Sequence, residues 1–445
     1  GVIFSGMLVT EFLEIDESLP RQLILSLRQD RSFGPLIVMG PGGTGTEIYR
    51  ENFREDRGLL IAVPETVRER ERIEKLLNKN ALFPIIAGKT RISEEHLIDP
   101  DRITEILEIF AGLAETFSRS STLSEFTMEE LEVNPLQIKD GKAVALDALL
   151  KFSRDKHQIG RKNQDNIKRL LYPENILMIG ASASRHNMGR QILKNLARSG
   201  DRIKEEDLLA LHPDPEVKQI EGVKSISSLE EIDRKMDLAV ITVPASDLLV
   251  DMIEQIIREE LASSLILISA GFDETEKGGV YSERLRKILR EKRDSSDSCP
   301  VINGPNCMGI VSGPGGYNTF FLPDYKISYT GEYGKNAAFI SQSGAFVVTM
   351  KNILTRIDPA YQITVGNQID LTVTDYLDTI GEEEKIDTFF LYLEGFKRLG
   401  GKRFLETARR LIEAGKKIVA YKAGRTSEGA EAVASHTAAM AGDYF

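Results

Sequence analysis

One of the five histidines, His436, sits among small residues in Ser435-His436-Thr437-Ala438-Ala439-Met440-Ala441-Gly442. Small neighbours leave room around an imidazole, and a neutral imidazole can attack phosphorus and pass the phosphoryl group on. The competing reading is a lone histidine in a helix or loop. Glu394 follows the apolar run Phe389-Phe390-Leu391-Tyr392-Leu393. A carboxylate at the carboxyl end of a strand points into the crevice of a parallel sheet, where it can orient an imidazole and raise its nucleophilicity. The alternative is a solvated strand end. Ser341-Gln342-Ser343-Gly344 stands between a strand-like and a helix-like run. Its hydroxyls and amides make either an anion cradle or an ordinary serine N-cap.

Gly180-Ala181-Ser182, with Gly189 beyond, follows a strand-like run and precedes a helical one. Small residues there let a phosphate approach the backbone at a helix N-terminus, as in a Rossmann-like site; the bland reading is a glycine turn without a ligand. The spacing is not Gly-x-Gly-x-x-Gly, and the second strand ends at His212-Pro213 rather than at an acid, which argues against NAD. Asn303-Gly304-Pro305-Asn306-Cys307-Met308-Gly309 marks an irregular loop after a parallel strand, where ligands bind. Cys307 there is a nucleophile or a small packing residue. Glu132 and Asn134 lie two apart in a strand-like run and so share a face; Asp147 on a paired strand could meet Asn134. Oxygen donors of this kind suit Mg²⁺, which keeps nucleotide phosphates and water as its other ligands. The alternative is a charged hairpin edge.

These residues need a frame of sheets to hold them. Residues 1–150 mix strand-like runs (Gly34 to Met39, Glu132 to Ile138, Ala143 to Asp147) with helical ones (Thr66 to Asn78, Ile103 to Ser118). Lys139-Asp140-Gly141-Lys142 between two strands predicts a hairpin, hence an α+β domain with antiparallel sheet. Residues 151–170 are polar and basic and are expected to be a linker. From residue 174 short apolar runs alternate with helical ones, implying parallel sheets with crossover helices. A second such unit starts near Ala337, with strands at Ala337 to Ile340, Gln362 to Val365, Thr388 to Leu393 and Lys417 to Tyr421.

With 445 residues, the chain exceeds what one core can organise. Net charge is −11 with dispersed Lys and Arg, which argues against a nucleic-acid surface. The sequence has no apolar run of about 18 residues, so no transmembrane helix is expected. Two cysteines, Cys299 and Cys307, are too few for a disulfide framework, and a reducing cytosol is the expected compartment. Position 1 is not Met and the chain stops just after a glycine-bearing stretch, which reads as a fragment of a longer enzyme.

Taken together, the motifs resemble the ADP-forming acyl-CoA (acetyl-CoA) synthetases, relatives of succinyl-CoA synthetase. The resemblance is carried by Ile179-Gly180-Ala181-Ser182, Val243-Pro244, Ser269-Ala270-Gly271-Phe272 and Gly304 to Gly309 for a CoA-binding domain. For a ligase domain it is carried by Ser341 to Ala345, Gly366-Asn367-Gln368-Ile369-Asp370, Tyr392 to Gly395 and Ser435-His436-Thr437. For the later half of an ATP-grasp domain it is carried by Phe33 to Val38, Gly40 to Gly43, Glu130 to Leu136 and Leu146-Asp147-Ala148.

The resemblance implies an α/β multidomain fold: a partial ATP-grasp α+β domain at 1–150, a linker at 151–170, a Rossmann-like CoA-binding domain at 171–325 and a flavodoxin-like succinyl-CoA-ligase domain, incomplete, at 326–445. It implies that CoA lies along Gly180, Ala181, Ser182, Gly189, Val243, Pro244 and Gly271, with its thiol near Asn306 and Cys307. Acyl-CoA and phosphate would give an acyl phosphate. His436 would take the phosphoryl group, steadied by Glu394 and by the Ser341, Gln342, Ser343 and Gly344 cradle. Glu132 would steady the phosphohistidine at ADP, with Mg²⁺ on Asn134 and Asp147. The ligands implied are CoA, ATP/ADP, Mg²⁺ and phosphate, the partners an acyl-CoA and a carboxylic acid, and the assembly a homo-oligomer. The chain departs from the family at Ala438, where Gly is usual, and in detail at Gly40-Pro41-Gly42-Gly43-Thr44-Gly45. Two other functions compete with this one: a non-catalytic CoA-binding regulatory module of a larger protein such as a protein acetyltransferase, and a nicotinamide-dependent oxidoreductase.

Overall fold

The computed structural model describes residues 14–15, 21–43, 55–90, 96–156, 162–198, 203–323 and 334–424. The chain divides into two compact units, Gly1–Ile159 and Gly160–Phe445.

The first unit is built on β1 (Gln22–Asp30), β2 (Gly34–Pro41), β3 (Leu60–Ala62), β4 (Thr127–Lys139), β5 (Lys142–Ala145) and β6 (Ala148–Ser153). All pairings are antiparallel, in the order β3-β2-β1-β4-β5, with β6 on the first half of β4. Asp140 and Gly141 both have positive φ, 49° and 73°, as a two-residue hairpin turn requires. Helices α1 (Arg70–Lys79) and α2 (Pro100–Thr116) bury Ile73, Leu77, Ile103, Leu107 and Ala114 in one core with β1 and β2. The helical pattern read from Thr66 to Asn78 is broken at Glu69, which is extended, so a short 3-10 turn precedes α1.

The second unit carries two sheets. The first runs β13-β12-β11-β7-β8-β10-β9. Its strands are β7 (Ile176–Ile179), β8 (Leu208–Leu211), β9 (Gln219–Ile220), β10 (Val223–Ile226), β11 (Met236–Ile241), β12 (Ala262–Leu267) and β13 (Val301–Asn303). All its pairings but β9–β10 are parallel. Continuous apolar strands such as Ile176–Ile179, buried throughout, are what a sheet covered on both faces demands. The other sheet runs β15-β14-β17-β16-β18-β19. Its strands are β14 (Ile310–Ser312), β15 (Tyr317–Asn318), β16 (Ala337–Ser341), β17 (Tyr361–Thr364), β18 (Thr388–Leu393) and β19 (Lys417–Lys422). The chain crosses between the two sheets at Gly304–Gly309, so β14 and β15, which precede residue 326, are edge strands of the last sheet.

The 151–170 stretch, expected to be a linker, is ordered at both ends. Lys151–Ser153 pairs with β4. Helix α3 (Gln164–Leu171) buries Ile167, Leu170 and Leu171 in the core of the second unit. Those three apolar residues share one helix face, and burying them outweighs the polarity around them.

Candidate active site

In a parallel sheet, ligands gather where strand order reverses, because the loops on either side of that point diverge. The second unit has two such points. In its first sheet β7 lies between β8 and β11, and the loop after β7 meets the loop after β11. A Cβ on Gly180, whose φ is +101°, would come within 2.6 Å of Thr242 Oγ1 and 3.0 Å of Val243 Cγ2. A Cβ on Gly189 would come within 2.5 Å of the Gly180 carbonyl oxygen. Asn187 ties the turn together: its Nδ2 donates to the Gly180 carbonyl at 2.9 Å, and its Oδ1 accepts from Ser182 N at 3.2 Å and caps helix α4 (Met188–Ala197) through Arg190 N at 2.9 Å. Pro244 is exposed at the same sheet edge, and Gly271, φ +93°, donates its N–H to Glu274 at 2.9 Å.

In the other sheet β16 lies between β17 and β18, which sets Ser341–Gly344 beside Glu394. Gln342 welds the two segments. Its Nε2 donates to the Gly395 carbonyl at 2.7 Å, and its Oε1 accepts from Gly395 N at 3.0 Å and from Glu394 N. Ser343 caps helix α7 (Gly344–Ile353) through Phe346 N at 3.4 Å, and Ser341 Oγ accepts from Ser343 N at 3.1 Å. The serine thus caps the helix as the N-cap reading has it and satisfies the third amide, while the Gly344 and Ala345 amides belong to the first turn, at the positive helix end, where the helix ladder supplies no partner. Lys422 donates to the Glu394 carbonyl at 2.8 Å, and burial lowers its pKa against the pull of the Glu394 carboxylate.

One cavity of about 450 Å³ joins the two halves. Its wall includes Asn306, Cys307 and Met308 from the crossing loop, Gln342 to Ala345, and Glu394. Met188, Ile268, Ala270, Phe321, Gly366 and Asn367 complete it. Gly180, Ala181, Ser182, Gly189, Val243, Pro244 and Gly271 are not in this wall; parallel register sets their loops along the carboxyl edge of the neighbouring sheet. Asn367, quoted in a ligase-domain motif but given no role there, is 3% exposed, and its Nδ2 donates at 2.8 Å to Glu274, the same side chain that holds Gly271. His436 lies outside the described residues, as does the rest of Ser435 to Gly442.

Cys307 fits the packing alternative. Its Sγ contacts the Leu267 carbonyl at 3.3 Å and accepts from Asn303 Nδ2 at 3.4 Å. Burial pushes its thiol up to about 12, and that of Cys299 to about 11. A thiol reagent at about pH 8 is expected to label neither cysteine in the folded protein and both after denaturation, by mass spectrometry. Labelling of Cys307 in the folded state would reinstate the nucleophile.

Three family models match in succession. That for an ATP-grasp domain matches residues 2–152, that for a CoA binding domain 174–312, and that for a succinyl-CoA ligase like flavodoxin domain 334–445. An ADP-forming acetate–CoA ligase II of Archaeoglobus fulgidus is 26% identical over 95% of this chain and 56% of its own length. The alpha subunit of an ADP-forming acetate–CoA ligase II of Pyrococcus furiosus is 32% identical over 61% of this chain and 55% of its own. The chain thus spans about half the length of these relatives. A dinucleotide-forming acetyl-coenzyme A synthetase 1 of Ca. Korarchaeum cryptofilum, solved with phosphate and ADP, superposes with a TM-score of 0.52 at 29% identity, over 62% of this chain and 56% of that one.

The chain is similar to the ADP-forming acetate–CoA ligases and matches, in order, models of an ATP-grasp, a CoA binding and a succinyl-CoA ligase like flavodoxin domain.

The first unit holds the remaining expected residues. Glu132 Oε2 accepts from Arg28 Nη2 at 2.8 Å. Asn134 N donates to the Asp147 carbonyl at 3.2 Å, and Asn134 Oδ1 accepts from Gly43 N at 3.5 Å, so Gly43, Asn134 and Asp147 converge. The register of β4 against β1 gains one residue between Val133 and Leu136, a bulge at Asn134–Pro135. Strict alternation, from which Glu132 and Asn134 are expected to share a face, is interrupted there, and a bulge re-aims its side chains. Thr44 and Gly45 lie outside the described residues. Among the described residues no group of three or more His, Cys, Asp or Glu could hold a metal, and no helix is long and apolar enough to cross a membrane.

Proposed function

We propose that this chain is the CoA-binding and phosphoryl-carrying part of an acid–thiol ligase that converts acyl-CoA, phosphate and ADP reversibly to carboxylic acid, CoA and ATP. The observation that supports it best is the single cavity on whose wall the crossing loop Asn306–Met308, the first-turn residues Gly344 and Ala345, and Glu394 meet. Phosphate held by the amides of Gly344 and Ala345 attacks the thioester carbonyl: a carbon–oxygen bond forms, the carbon–sulfur bond breaks, and CoA leaves as thiolate. The amides offset the charge that gathers on the phosphate as it reacts. His436 then attacks the phosphorus of the acyl phosphate: a nitrogen–phosphorus bond forms, the phosphorus–oxygen bond to the acyl group breaks, and the carboxylate departs. Glu394 accepts the other imidazole N–H, which fixes the tautomer and leaves the reacting nitrogen its lone pair. Phosphohistidine finally gives its phosphoryl group to ADP at the first unit, where Glu132 steadies the ring.

Asn134, in β4, and Asp147, in the link between β5 and β6, fit Mg²⁺ as a pair of hard oxygen donors joined through the main chain. A bound ion would lower the negative charge of the nucleotide phosphates. The two cysteines are free and buried, which supports a reducing compartment such as the cytosol.

The intact protein, given acetyl-CoA, phosphate and ADP, is expected to form ATP and free CoA in equal amounts, and none without phosphate, in a coupled assay. Binding of CoA with no ATP formed from any acyl-CoA would leave the regulatory-module reading in its place.

A further inference from the structure

Resting on this acyl-CoA chemistry, we infer that Met308 sets which acyl groups the protein accepts. The reacting carbonyl has to lie between the CoA sulfur, brought in at Asn306–Cys307, and the phosphate on the Gly344 and Ala345 amides. Met308 stands between those two places. It follows Cys307 directly and packs on Gly344 so closely that a Cβ there would come within 2.7 Å of the methionine Cγ and 3.1 Å of its Sδ. Its main chain is anchored, since Met308 N donates to Thr364 Oγ1 at 2.9 Å. The side chain is 7% exposed and belongs to a cluster with Phe320, Phe339 and Val347. The root of this wall is therefore fixed, while its unbranched thioether tip can change shape.

The same cavity wall includes the apolar side chains of Met188, Ile268 and Phe321, and Glu394 is the only charged residue in it among the described residues. The nearby Lys422 donates to the main-chain carbonyls of Glu394 and Ala423, at 2.8 and 2.6 Å. A second carboxylate on the acyl group finds no cation among the described residues of that wall. An apolar tail growing from the carbonyl meets the thioether of Met308 first, so the room left by that side chain limits tail length.

The test is equilibrium binding of acetyl-, butyryl- and hexanoyl-CoA to the 445-residue chain, by calorimetry. In Met308→Ala the ratio of hexanoyl to acetyl affinity is expected to rise about tenfold, the scale of a methylene or two in an apolar pocket. Met308→Val, which shortens the side chain with a smaller void, is expected to shift the ratio in the same direction, so the inference is still tested should the alanine variant not fold. Met308→Leu, close to methionine in volume, is expected to hold the ratio within about twofold. If both shortened variants change all three affinities by one common factor, Met308 does not select the acyl group and the inference falls, although the synthetase reading stands. If the wild-type chain binds none of the three, the synthetase reading falls with it.

Discussion

Glu394→Gln is expected to slow phosphoryl uptake by His436 about 10²-fold or more, the scale seen when the partner that orients a reacting imidazole is neutralised. The expectation follows from how rigidly Glu394 is held. Its backbone is pinned by Gln342 Oε1 on one side and by Lys422 on the other, so the carboxylate has a defined origin at the end of β18. Glutamine keeps the shape but presents either a donor or a neutral acceptor to the ring, and loses the charge that favours imidazolium character in the transition state. Rapid quenching with acyl phosphate carrying radioactive phosphorus reads the step directly, as acid-labile, base-stable label on protein. His436→Ala is expected to take up none. Glu132→Gln is expected to accept label at the wild-type rate and to discharge it slowly to ADP, because on the proposed function Glu132 acts at the ADP site of the first unit. Label uptake by Glu394→Gln at the wild-type rate would remove Glu394 from the mechanism, and label retained in His436→Ala would remove the histidine.

Much of this arrangement is legible in the chain before any coordinates, for physical reasons. Phe389–Leu393 is an unbroken hydrophobic run that ends at a carboxylate, so strand, direction and exit point are read together. Lys139-Asp140-Gly141-Lys142 announces its hairpin because two successive positive φ angles favour Asp and Gly. The illegible parts depend on distance along the chain. Gln342 reads in sequence as one more member of a phosphate cradle; its bonds to Glu394 and Gly395, more than fifty positions later, are something local sequence cannot express. The cavity wall draws Met188, Phe321 and Asn367 from three separate segments, which only the topology unites. Strands β14 and β15, of three and two residues, are too short for any periodicity, so their transfer to the last sheet leaves no signature. The polar look of 151–170 also conceals how firmly its end is anchored. Lys162 Nζ is bonded to Asp375 Oδ2 at 2.6 Å and also to the Asp370 carbonyl.

That anchor carries the other large effect. Asp375 is fully buried at the start of helix α8 (Val373–Ile380), where its Oδ2 also accepts from Thr372 N at 2.7 Å and Thr372 Oγ1 at 2.8 Å in a capping box. Its Oδ1 accepts from Arg403 Nη1 at 2.5 Å. Asp375→Ala leaves two largely buried cations without their shared anion and opens the cap. The expected loss is about 3–5 kcal/mol of unfolding free energy, because breaking a buried pair exposes the full desolvation cost of the partner left behind. Burial pushes the Asp375 carboxyl up, but the charges of Lys162 and Arg403 outweigh it and hold the group well below the ordinary carboxylate range. A carboxyl with a lowered folded pKa stabilises fully above its unfolded value, near about 3.9, and loses that contribution as pH falls towards the folded value. The stability difference between wild type and Asp375→Ala is therefore expected to be constant above about pH 5 and to shrink steadily below it. Urea unfolding across that range, followed by circular dichroism, measures the difference directly. A difference that is flat with pH, or under about 1 kcal/mol at neutral pH, would mean that packing alone holds this corner together and that the Lys162–Asp375–Arg403 charges contribute nothing net.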